Sequence, residues 1–199
     1  MVIPYVVERE NGVERSMDVY SRLLKDRVVF LGTGVDSQSA NAIIAQLLFL
    51  SASDPKADIH FYINSPGGSV SDGLGILDTI NHIGCDVRTY CIGQACSMGA
   101  LLLSAGTKGK RFVLPNARVM IHQPSGGAQG TATDVEIRIE EMFKYKKKLT
   151  NILAINCGKE YNEVYKDCER DYFMSAEEAV DYGIVDQILT NDGGTDEVS

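Results

Sequence analysis

The stretch IHFYINSPGGSVSDGLGILDTINHI, residues 59–83, contains the unit that decides the fold. It begins with a β-branched and aromatic run, passes through a glycine-rich turn, and ends in a segment whose apolar residues recur every three or four positions. The first pattern is typical of a buried strand and the last of an amphipathic helix. The stretch therefore predicts a strand, a tight turn and a helix, in that order.

Similar units lie on both sides of this stretch. Their strand-like runs begin about 30 residues apart, which is the length of a βαβ unit, and cover residues 28–31, 59–63, 87–92 and 118–121. Helix-forming patterns lie between them, at residues 37–51, 71–83 and 98–103. Ser37 and Ser71 begin the first two patterns and are expected to cap their free amide groups. The succession predicts an α/β fold with a mostly parallel sheet.

The composition is that of a globular chain. Its 199 residues are 44% hydrophobic and 23% charged, with 19 glycines and 5 prolines, which fits one domain and excludes a disordered or collagen-like chain. The net charge of −8 argues against nucleic acid or an anionic membrane as the main partner. No apolar window approaches the roughly 18 residues that a membrane span needs. We expect a single domain over residues 1–199.

The cysteines and the amino terminus indicate the compartment. The five cysteines are an odd number without a C-x-x-C pair, so we expect neither a disulfide framework nor a zinc or other metal site. Free thiols indicate a reducing compartment. Residues 1–8 show neither a signal-peptide nor a transit-peptide pattern, and we therefore expect a cytoplasmic protein.

The pattern changes after His122. Residues 125–130 are small or polar and predict a flexible extended segment. Residues 133–154 predict a long helix with acids early and lysines late, an order that suits the helix macrodipole. We interpret the lysine-rich part as a solvated helix face. The tail at residues 190–199 is expected to be disordered.

The stretch GQACSMGA, residues 93–100, is a candidate nucleophile site. It takes a strand through a turn of small residues into an apolar helix, so the Ser97 hydroxyl would lie at a helix amino terminus that favours an oxyanion. The match to the G-x-S-x-G motif is imperfect, because Ala95 stands at the first glycine position. A serine that only caps the helix is the alternative.

A second loop, at residues 64–70, also follows a strand and opens a helix. Its backbone amides could bind an anion, but it lacks the lysine of a phosphate-binding P-loop. Of the three histidines, only His122 stands at a strand end followed by a glycine-rich segment. Because the carboxyl ends of parallel strands meet at one edge of a sheet, we expect Gly68, Ser97 and His122 to share a site.

Four stretches resemble the signatures of the ClpP family, the proteolytic subunits of the Clp peptidase. They are NSPGGSV at residues 64–70, GQACSMGA at 93–100, RVMIHQP at 118–124 and ERDYFMSA at 169–176. The similarity extends over residues 14–189. It implies a crotonase-like fold of repeated ββα units, with an axial segment at residues 1–18 and a protruding handle at residues 123–158.

The resemblance also implies a serine endopeptidase with a Ser-His-Asp triad. Position by position, Ser97 matches the nucleophile, His122 the general base and Asp171 the residue that orients the base. Gly68 and Met98 match the backbone donors of the oxyanion hole. The chain order Ser, His, Asp is compatible with this role, because geometry rather than order defines a triad.

Three further sets of residues follow from the same resemblance. Substrate contacts are implied for Ser69, Val70, Ser125, Gly126 and Gly127. A surface cleft that docks an ATPase is implied for Leu48, Phe49, His60, Tyr62, His82, Tyr90, Phe112 and Leu189. A ring interface is implied for Thr131, Asp134, Glu169 and Arg170.

Partners are implied as well. The resemblance predicts two stacked seven-membered rings of this chain, enclosing a chamber that an AAA+ unfoldase supplies with unfolded polypeptides. ATP is used by that partner, and no cofactor is expected in this chain. Ser125, His60 and His82 depart from the leucine and aromatic residues usual in the family. These departures favour a mixed complex with a second isoform, and they predict weaker ATPase docking.

Two alternatives stay open from the sequence. A structural ring subunit that assembles with an active paralogue is compatible with the departures at the cleft. A crotonase-type acyl-CoA enzyme of the same fold would use backbone oxyanion donors without needing Ser97 and Asp171 together.

Overall fold

A computed structural model of the chain describes residues 3–10 and 12–190. An antiparallel hairpin comes first, formed by β1 (Tyr5–Glu10) and β2 (Val13–Asp18). The strands of the main sheet are β3 (Val28–Leu31), β4 (Ile59–Ser65), β5 (Val87–Cys96), β6 (Arg111–Val113), β7 (Arg118–Ile121), β8 (Tyr172–Met174) and β9 (Gln187–Ile188). The helices are α1 (Val19–Lys25), α2 (Ser37–Ser53), α3 (Val70–His82), α4 (Met98–Ser104), α5 (Ala132–Cys157), α6 (Tyr161–Asp167) and α7 (Ala176–Tyr182).

The main sheet is parallel except at one edge. Strands β3, β4, β5, β6 and β9 are neighbours in that order, and each of these pairs is parallel. Strand β7 joins β5 in parallel, and β8 pairs with β7 in the antiparallel sense. The predicted α/β fold with a mostly parallel sheet is confirmed.

Strand β5 belongs to two branches of the sheet. Its residues Thr89 to Cys91 pair with β6, and its residues Gln94 to Cys96 pair with β7. Gly93 lies between the two parts with a φ of +70°, and a Cβ atom there would lie 2.8 Å from Oδ1 of Asn64. Only glycine fits such a position without strain. The change of direction lets β5 end beside β7.

The core lies between the sheet and three helices. Along β4, alternate residues Ile59, Phe61 and Ile63 are fully buried, whereas His60 and Tyr62 are partly buried on the opposite face. Helices α2 and α3 each bury one face, and every residue of α4 is buried. Because α4 is held on all sides, the turn that precedes it is held in place as well.

The helix starts differ from the predicted caps. Helix α2 is capped by Asp36, whose side chain accepts from the Ser39 amide while the Ser39 hydroxyl accepts from the Asp36 amide. The Ser69 side chain caps α3. The prediction that Ser37 and Ser71 cap these helices is wrong. Both residues lie inside the first turn, whereas a cap precedes it.

The second half of the chain follows the predicted order of segments. Residues 122–129 have no regular secondary structure. Helix α5 extends slightly beyond the predicted residues 133–154, and Gly158, which has a φ of +68°, caps its carboxyl end. The predicted disordered tail lies outside the described residues, except for residue 190. None of the helices in the described ranges is both long enough and apolar enough to cross a bilayer.

Arg111 is a buried cation whose ion pair with the partly buried Asp186 joins distant elements. Only 2% of its side chain is exposed, and its Nε and Nη2 atoms donate to the two carboxylate oxygens of Asp186 at 2.9 and 2.6 Å. Its Nη1 atom donates to the backbone oxygen of Asn156 at 2.9 Å. Burial would raise the pKa of the Asp186 carboxyl, but the hydrogen bonds and charge of Arg111 outweigh it and lower that pKa below its ordinary value. The pair connects β6, α5 and the turn before β9.

Candidate active site

Ser97 stands at the turn between β5 and α4 in an unusual backbone conformation. Its φ of +54° and ψ of −120° are rarely adopted by a residue with a side chain, and such conformations cost on the order of 1–3 kcal/mol. Ser97 occupies the cap position of α4, yet its side chain makes no cap hydrogen bond. The interpretation of Ser97 as a serine that only caps the helix is therefore wrong, and its hydroxyl is available for chemistry.

His122 and Asp171 are brought together by the antiparallel edge of the sheet. His122 follows β7, Asp171 precedes β8, and the pairing of Ile121 with Tyr172 places them opposite each other. Nδ1 of His122 lies 2.9 Å from Oδ1 of Asp171. This contact leaves Nε2 of the imidazole available to a second partner.

Ser97 and His122 lie on neighbouring parts of the sheet. The Ser97 amide donates to the carbonyl of Met120 at 2.8 Å, and Met120 is two residues before His122. Within residues 3–10 and 12–190, neither the Ser97 hydroxyl nor Nε2 of His122 has a hydrogen-bond partner. The three residues thus share one edge without the direct bond between serine and histidine. Catalytic hydrogen bonds commonly form only in the substrate complex.

The glycine loop packs directly on the Ser97 turn. A Cβ atom on Gly67 would lie 2.7 Å from both the Cys96 carbonyl oxygen and the Ser97 Cβ. The neighbouring Gly68 has a φ of +150°, and a Cβ there would lie 2.2 Å from the Val35 oxygen. Both positions therefore require glycine, and their lack of side chains brings the loop backbone against the Ser97 turn.

Two backbone amides beside Ser97 are unbonded. Val35 bonds to the two residues that flank Gly68, through the Gly67 carbonyl and the Ser69 amide, each at 2.8 Å. This bridge leaves the Gly68 amide without a partner among the described residues. Met98 is the first residue of α4, and its amide has no partner there either. The loop and the helix start therefore both offer donors at this edge.

An apolar groove adjoins this edge. It is a cavity of about 520 Å³ between α5 and the segment after His122. Four of the five residues predicted to contact substrate line it: Val70, Ser125, Gly126 and Gly127. The fifth, Ser69, caps α3 at the mouth of the glycine loop.

The predicted ATPase-docking residues fall into two groups. In the first group, four rings stack on the face of the sheet opposite the core. The Tyr90 ring is at the centre, and its centroid lies 5.8 Å from that of His60, 4.4 Å from that of Tyr62 and 5.1 Å from that of Phe112. Leu189 joins Tyr62, Tyr90 and Phe112 around a small cavity of about 70 Å³. The structure does not bring Leu48, Phe49 and His82 to this cavity. They are exposed on α2 and at the end of α3.

His60 is bound into the ring stack. Its Nδ1 lies 2.8 Å from the Tyr90 hydroxyl oxygen. Burial lowers the pKa of His60 below its ordinary value, and the positive charge of Arg88 lowers it further. The imidazole is therefore held neutral, and its polar edge is partly satisfied by Tyr90.

The residues predicted at a ring interface also lie in two places. Thr131 caps α5, and its hydroxyl donates to Oδ2 of Asp134 at 2.7 Å. Glu169 and Arg170 are exposed and follow α6. No hydrogen bond or ion pair links the two pairs within the described residues.

Sequence reasoning missed the role of Gln123. Its backbone N–H donates to the Cys168 carbonyl at 2.6 Å, and its side-chain Nε2 donates to the Glu169 carbonyl at 2.9 Å. Both carbonyls belong to the loop that carries Asp171, so Gln123 holds this loop beside the strand that ends at His122. The adjacency of Gln123 to the histidine was the one available signal, because its partners are some 45 residues away in the chain.

The cysteines offer no competing nucleophile. All five are free and buried. Burial raises the pKa of Cys91 and Cys168 to about 12, and it also raises the pKa of Cys96, which the Asp171 carboxylate raises further. No three His, Cys, Asp or Glu side chains of the described residues cluster as metal ligands.

Comparison with known proteins places this geometry in a family. The family model described as Clp protease matches residues 10–192. The chain belongs to the Clp protease family. The resemblance seen in the four motifs is thereby confirmed, and with it a serine peptidase of this family.

Two curated relatives from the Clp protease family have similar lengths. The ATP-dependent Clp protease proteolytic subunit 2 of Chlamydia pneumoniae is 56% identical over 190 residues, which is 96% of this chain and 94% of the relative. The protein of the same name from Chlamydia trachomatis serovar D has the same identity and coverage. The similarity therefore extends over nearly the whole of each chain.

Proposed function

We propose that this chain is an ATP-dependent Clp protease proteolytic subunit, a serine endopeptidase that cleaves unfolded polypeptides to small peptides. The observation that carries the proposal is the Ser97 turn, strained and uncapped, beside two unbonded amides and the His122–Asp171 pair. The names of the two chlamydial relatives support it. Clp protease activity of this kind needs no metal or cofactor in the chain itself.

The chemistry is acyl transfer by the Ser97 hydroxyl. His122 accepts the hydroxyl proton as Oγ attacks the peptide carbonyl, and Asp171 orients the imidazole and stabilises its protonated form. The amides of Gly68 and Met98 donate to the oxyanion that develops in the transition state. His122 then protonates the leaving amine, and water hydrolyses the acyl-enzyme by the same steps.

Substrate is held chiefly through its backbone. An extended peptide adds as a strand between the segment at Gly126 and Gly127 and the loop from Gly68 to Val70. Such pairing accepts many sequences, because main-chain groups are common to all of them. The apolar groove takes one side chain and gives a preference for an apolar residue there.

The active form is two stacked rings of seven subunits, fed by a Clp-type AAA+ unfoldase that hydrolyses the ATP. Along α5, Ile137 and Phe143 expose 59% and 58% of their surfaces, and apolar residues so exposed indicate a surface that packs on another subunit. Leu48, Phe49 and His82 do not line the cavity that Tyr62, Tyr90, Phe112 and Leu189 of their own chain surround. A complete docking cleft therefore needs residues from two subunits. Rings mixed with a second isoform are compatible with this arrangement.

A fluorophosphonate probe tests the proposed function. We expect covalent labelling of Ser97, located by mass spectrometry of the digested protein, together with cleavage of small peptides. A structural ring subunit or an acyl-CoA enzyme would not require a reactive Ser97. Absence of both labelling and cleavage in assembled rings would contradict the proposal.

The oxyanion donors can be tested at Gly68. We expect Gly68→Ala to lower kcat by about 10²–10³-fold, because the new Cβ collides with the Val35 oxygen and displaces the amide donor. The measurement is steady-state hydrolysis of a fluorogenic peptide. Gly84→Ala is the matched control, because nothing lies within 4 Å of a Cβ at that position. Equal kcat in the two variants would remove Gly68 from the oxyanion hole.

The docking cleft can be tested through the protonation of His60. Since the pKa of His60 is lowered, the imidazole stays neutral at pH 7.5 and becomes charged only below the ordinary histidine value of about 6.5. Docking of an unfoldase loop would bury that charge, so we expect affinity for the unfoldase to fall by at least about fivefold between pH 7.5 and 5.5. The measurement is the Kd of assembled rings for a Clp-type unfoldase at each pH.

Two variants separate His60 from the rest of the cleft. His60→Phe should bind with little dependence on pH, whereas His82→Phe should keep the wild-type pH dependence, because His82 lies outside the ring stack. A pH dependence that survives in His60→Phe would exclude His60 as its source.

A further inference from the structure

A second cavity adjoins the triad and is unused by the mechanism above. It measures about 380 Å³ and is lined by Asn64, Gly93, Gln94, Cys96, Arg118 and Phe173. Arg118 begins β7, whereas His122 and the groove segment follow its end. The two cavities therefore flank the triad along this strand, one on each side.

The cavity lies on the same face of the sheet as the triad. Cys96 pairs in register with Met120, and Met120 with Phe173. The alternating residues Ala95 and Val119 are fully buried in the core, so these three side chains point away from it. His122 lies two residues beyond Met120, and the strand alternation places it on this face too.

Electrostatics independently connects the cavity to the triad. The pKa of the Cys96 thiol is raised by burial and, to a smaller extent, by the charge of Asp171, while Arg118 lowers it. This thiol, which directly precedes Ser97, is thus within electrostatic reach of both the triad acid and Arg118.

Arg118 makes no ion pair with any described residue. Its guanidinium lies over the ring of Phe173, 5.7 Å from the centroid, and no carboxylate within the described ranges pairs with it. Arg22 and Arg111, by contrast, each bond to a carboxylate. An unpaired guanidinium held on an aromatic ring in a chain of net charge −8 is suited to bind a carboxylate through its planar fork. The carboxamides of Asn64 and Gln94 add neutral polar groups, and no acidic residue lines the cavity.

We propose that this cavity is a carboxylate subsite, which binds an acidic side chain of the peptide substrate on the side of the scissile bond opposite the apolar groove. Arg118 begins β7 and His122 is the first residue after it, so they are four residues apart, about 13 Å at roughly 3.3 Å per residue of extended chain. An extended substrate covers this distance in about three to four residues. The inference rests on the proposed peptidase function and adds a sequence preference to it.

Two matched peptides test the subsite. Both are capped at their ends, share an apolar residue for the groove, and differ only in carrying Glu or Gln at the fourth position beyond the scissile bond. We expect wild-type rings to prefer the Glu peptide by about fivefold to twentyfold in kcat/KM, from a charge-assisted hydrogen bond in a partly exposed site. Arg118→Gln should bring that ratio to about one. Lys108→Gln, which removes a charge outside both cavities, should keep the wild-type ratio.

A binding measurement separates the subsite from the catalytic proposal. In Ser97→Ala rings, Kd for the fluorescently labelled Glu peptide should be lower than for the Gln peptide by a similar factor, and this difference should disappear on adding Arg118→Gln. Equal Kd values for the two peptides would overturn the subsite. So would equal kcat/KM values in wild-type rings that cleave both peptides and are labelled at Ser97, and this result would leave the peptidase function intact. A Glu preference that survives in Arg118→Gln would also overturn the subsite.

Discussion

Ser97→Ala abolishes peptide hydrolysis, lowering kcat by at least about 10³-fold and removing fluorophosphonate labelling. The expected loss is large because no other described group near the turn can form the acyl-enzyme, and burial keeps the Cys96 thiol protonated by raising its pKa. The substitution removes one oxygen that makes no cap hydrogen bond. The fold and assembly should therefore be unchanged. The measurement is hydrolysis of a fluorogenic peptide, with sedimentation of the same sample.

Ser37→Ala is the matched control for this experiment. Ser37 also stands at the start of a helix, but it is exposed, lies on α2 and makes no contact described for the candidate site. We expect wild-type kcat in this variant. Turnover by Ser97→Ala at a rate close to that of Ser37→Ala would contradict the assignment of Ser97 as nucleophile.

Arg111→Leu lowers the free energy of unfolding by about 3 kcal/mol, because it leaves the partly buried Asp186 carboxylate without its charged partner. The same substitution removes the donor to the Asn156 carbonyl, so the contact between β6 and α5 loosens as well. Urea unfolding followed by circular dichroism at pH 7 measures the effect. A loss below about 1 kcal/mol would show that the pair contributes little.

Two comparisons test the origin of that loss. Lys144→Ala breaks an exposed ion pair with Glu141 and should lower the free energy of unfolding by less than about 1 kcal/mol.

The pKa of Asp186 is lowered in the folded state, so the contribution of its ion pair to stability is complete above the ordinary aspartate value of about 3.9 and is lost as pH falls through the folded value. The stability difference between wild type and Arg111→Leu should therefore narrow only at strongly acidic pH.

Local patterns predicted the repeated strands and helices of this fold and missed the amino-terminal hairpin and the shortest strands. The runs at residues 28–31 and 118–121 coincide with β3 and β7, because each is a short run rich in β-branched and other apolar residues that can be read locally. Strands β6, β8 and β9 have two or three residues each, too few for a period to be visible. Their positions depend on neighbours that are distant in sequence, and so does the pairing of Arg111 with Asp186, 75 residues apart.

In the candidate site, too, the sequence predicted the residues that belong to a local pattern and missed those that depend on distant neighbours. The Ser97 turn and the glycine loop were predictable because a strand, small residues and a helix succeed one another locally. Asp171 was identifiable only by the family resemblance, since it stands among other acids in an unremarkable polar stretch. His60 and His82 were predicted to share one cleft, but one lies on a strand and the other ends a helix. No single-chain pattern indicates which surfaces those two elements present to a second subunit.

The antiparallel edge of the sheet has a consequence for hydrogen exchange. Strand β5 is paired on both sides, so its amides should exchange only through global unfolding, whereas β8 is held to β7 by three residue pairs at the margin. Amides of β8 should therefore exchange through local opening at a much smaller free energy. Each such opening carries Asp171 away from His122 while the core stays intact. The contact between His122 and Asp171 can thus break and re-form many times within the lifetime of one folded molecule.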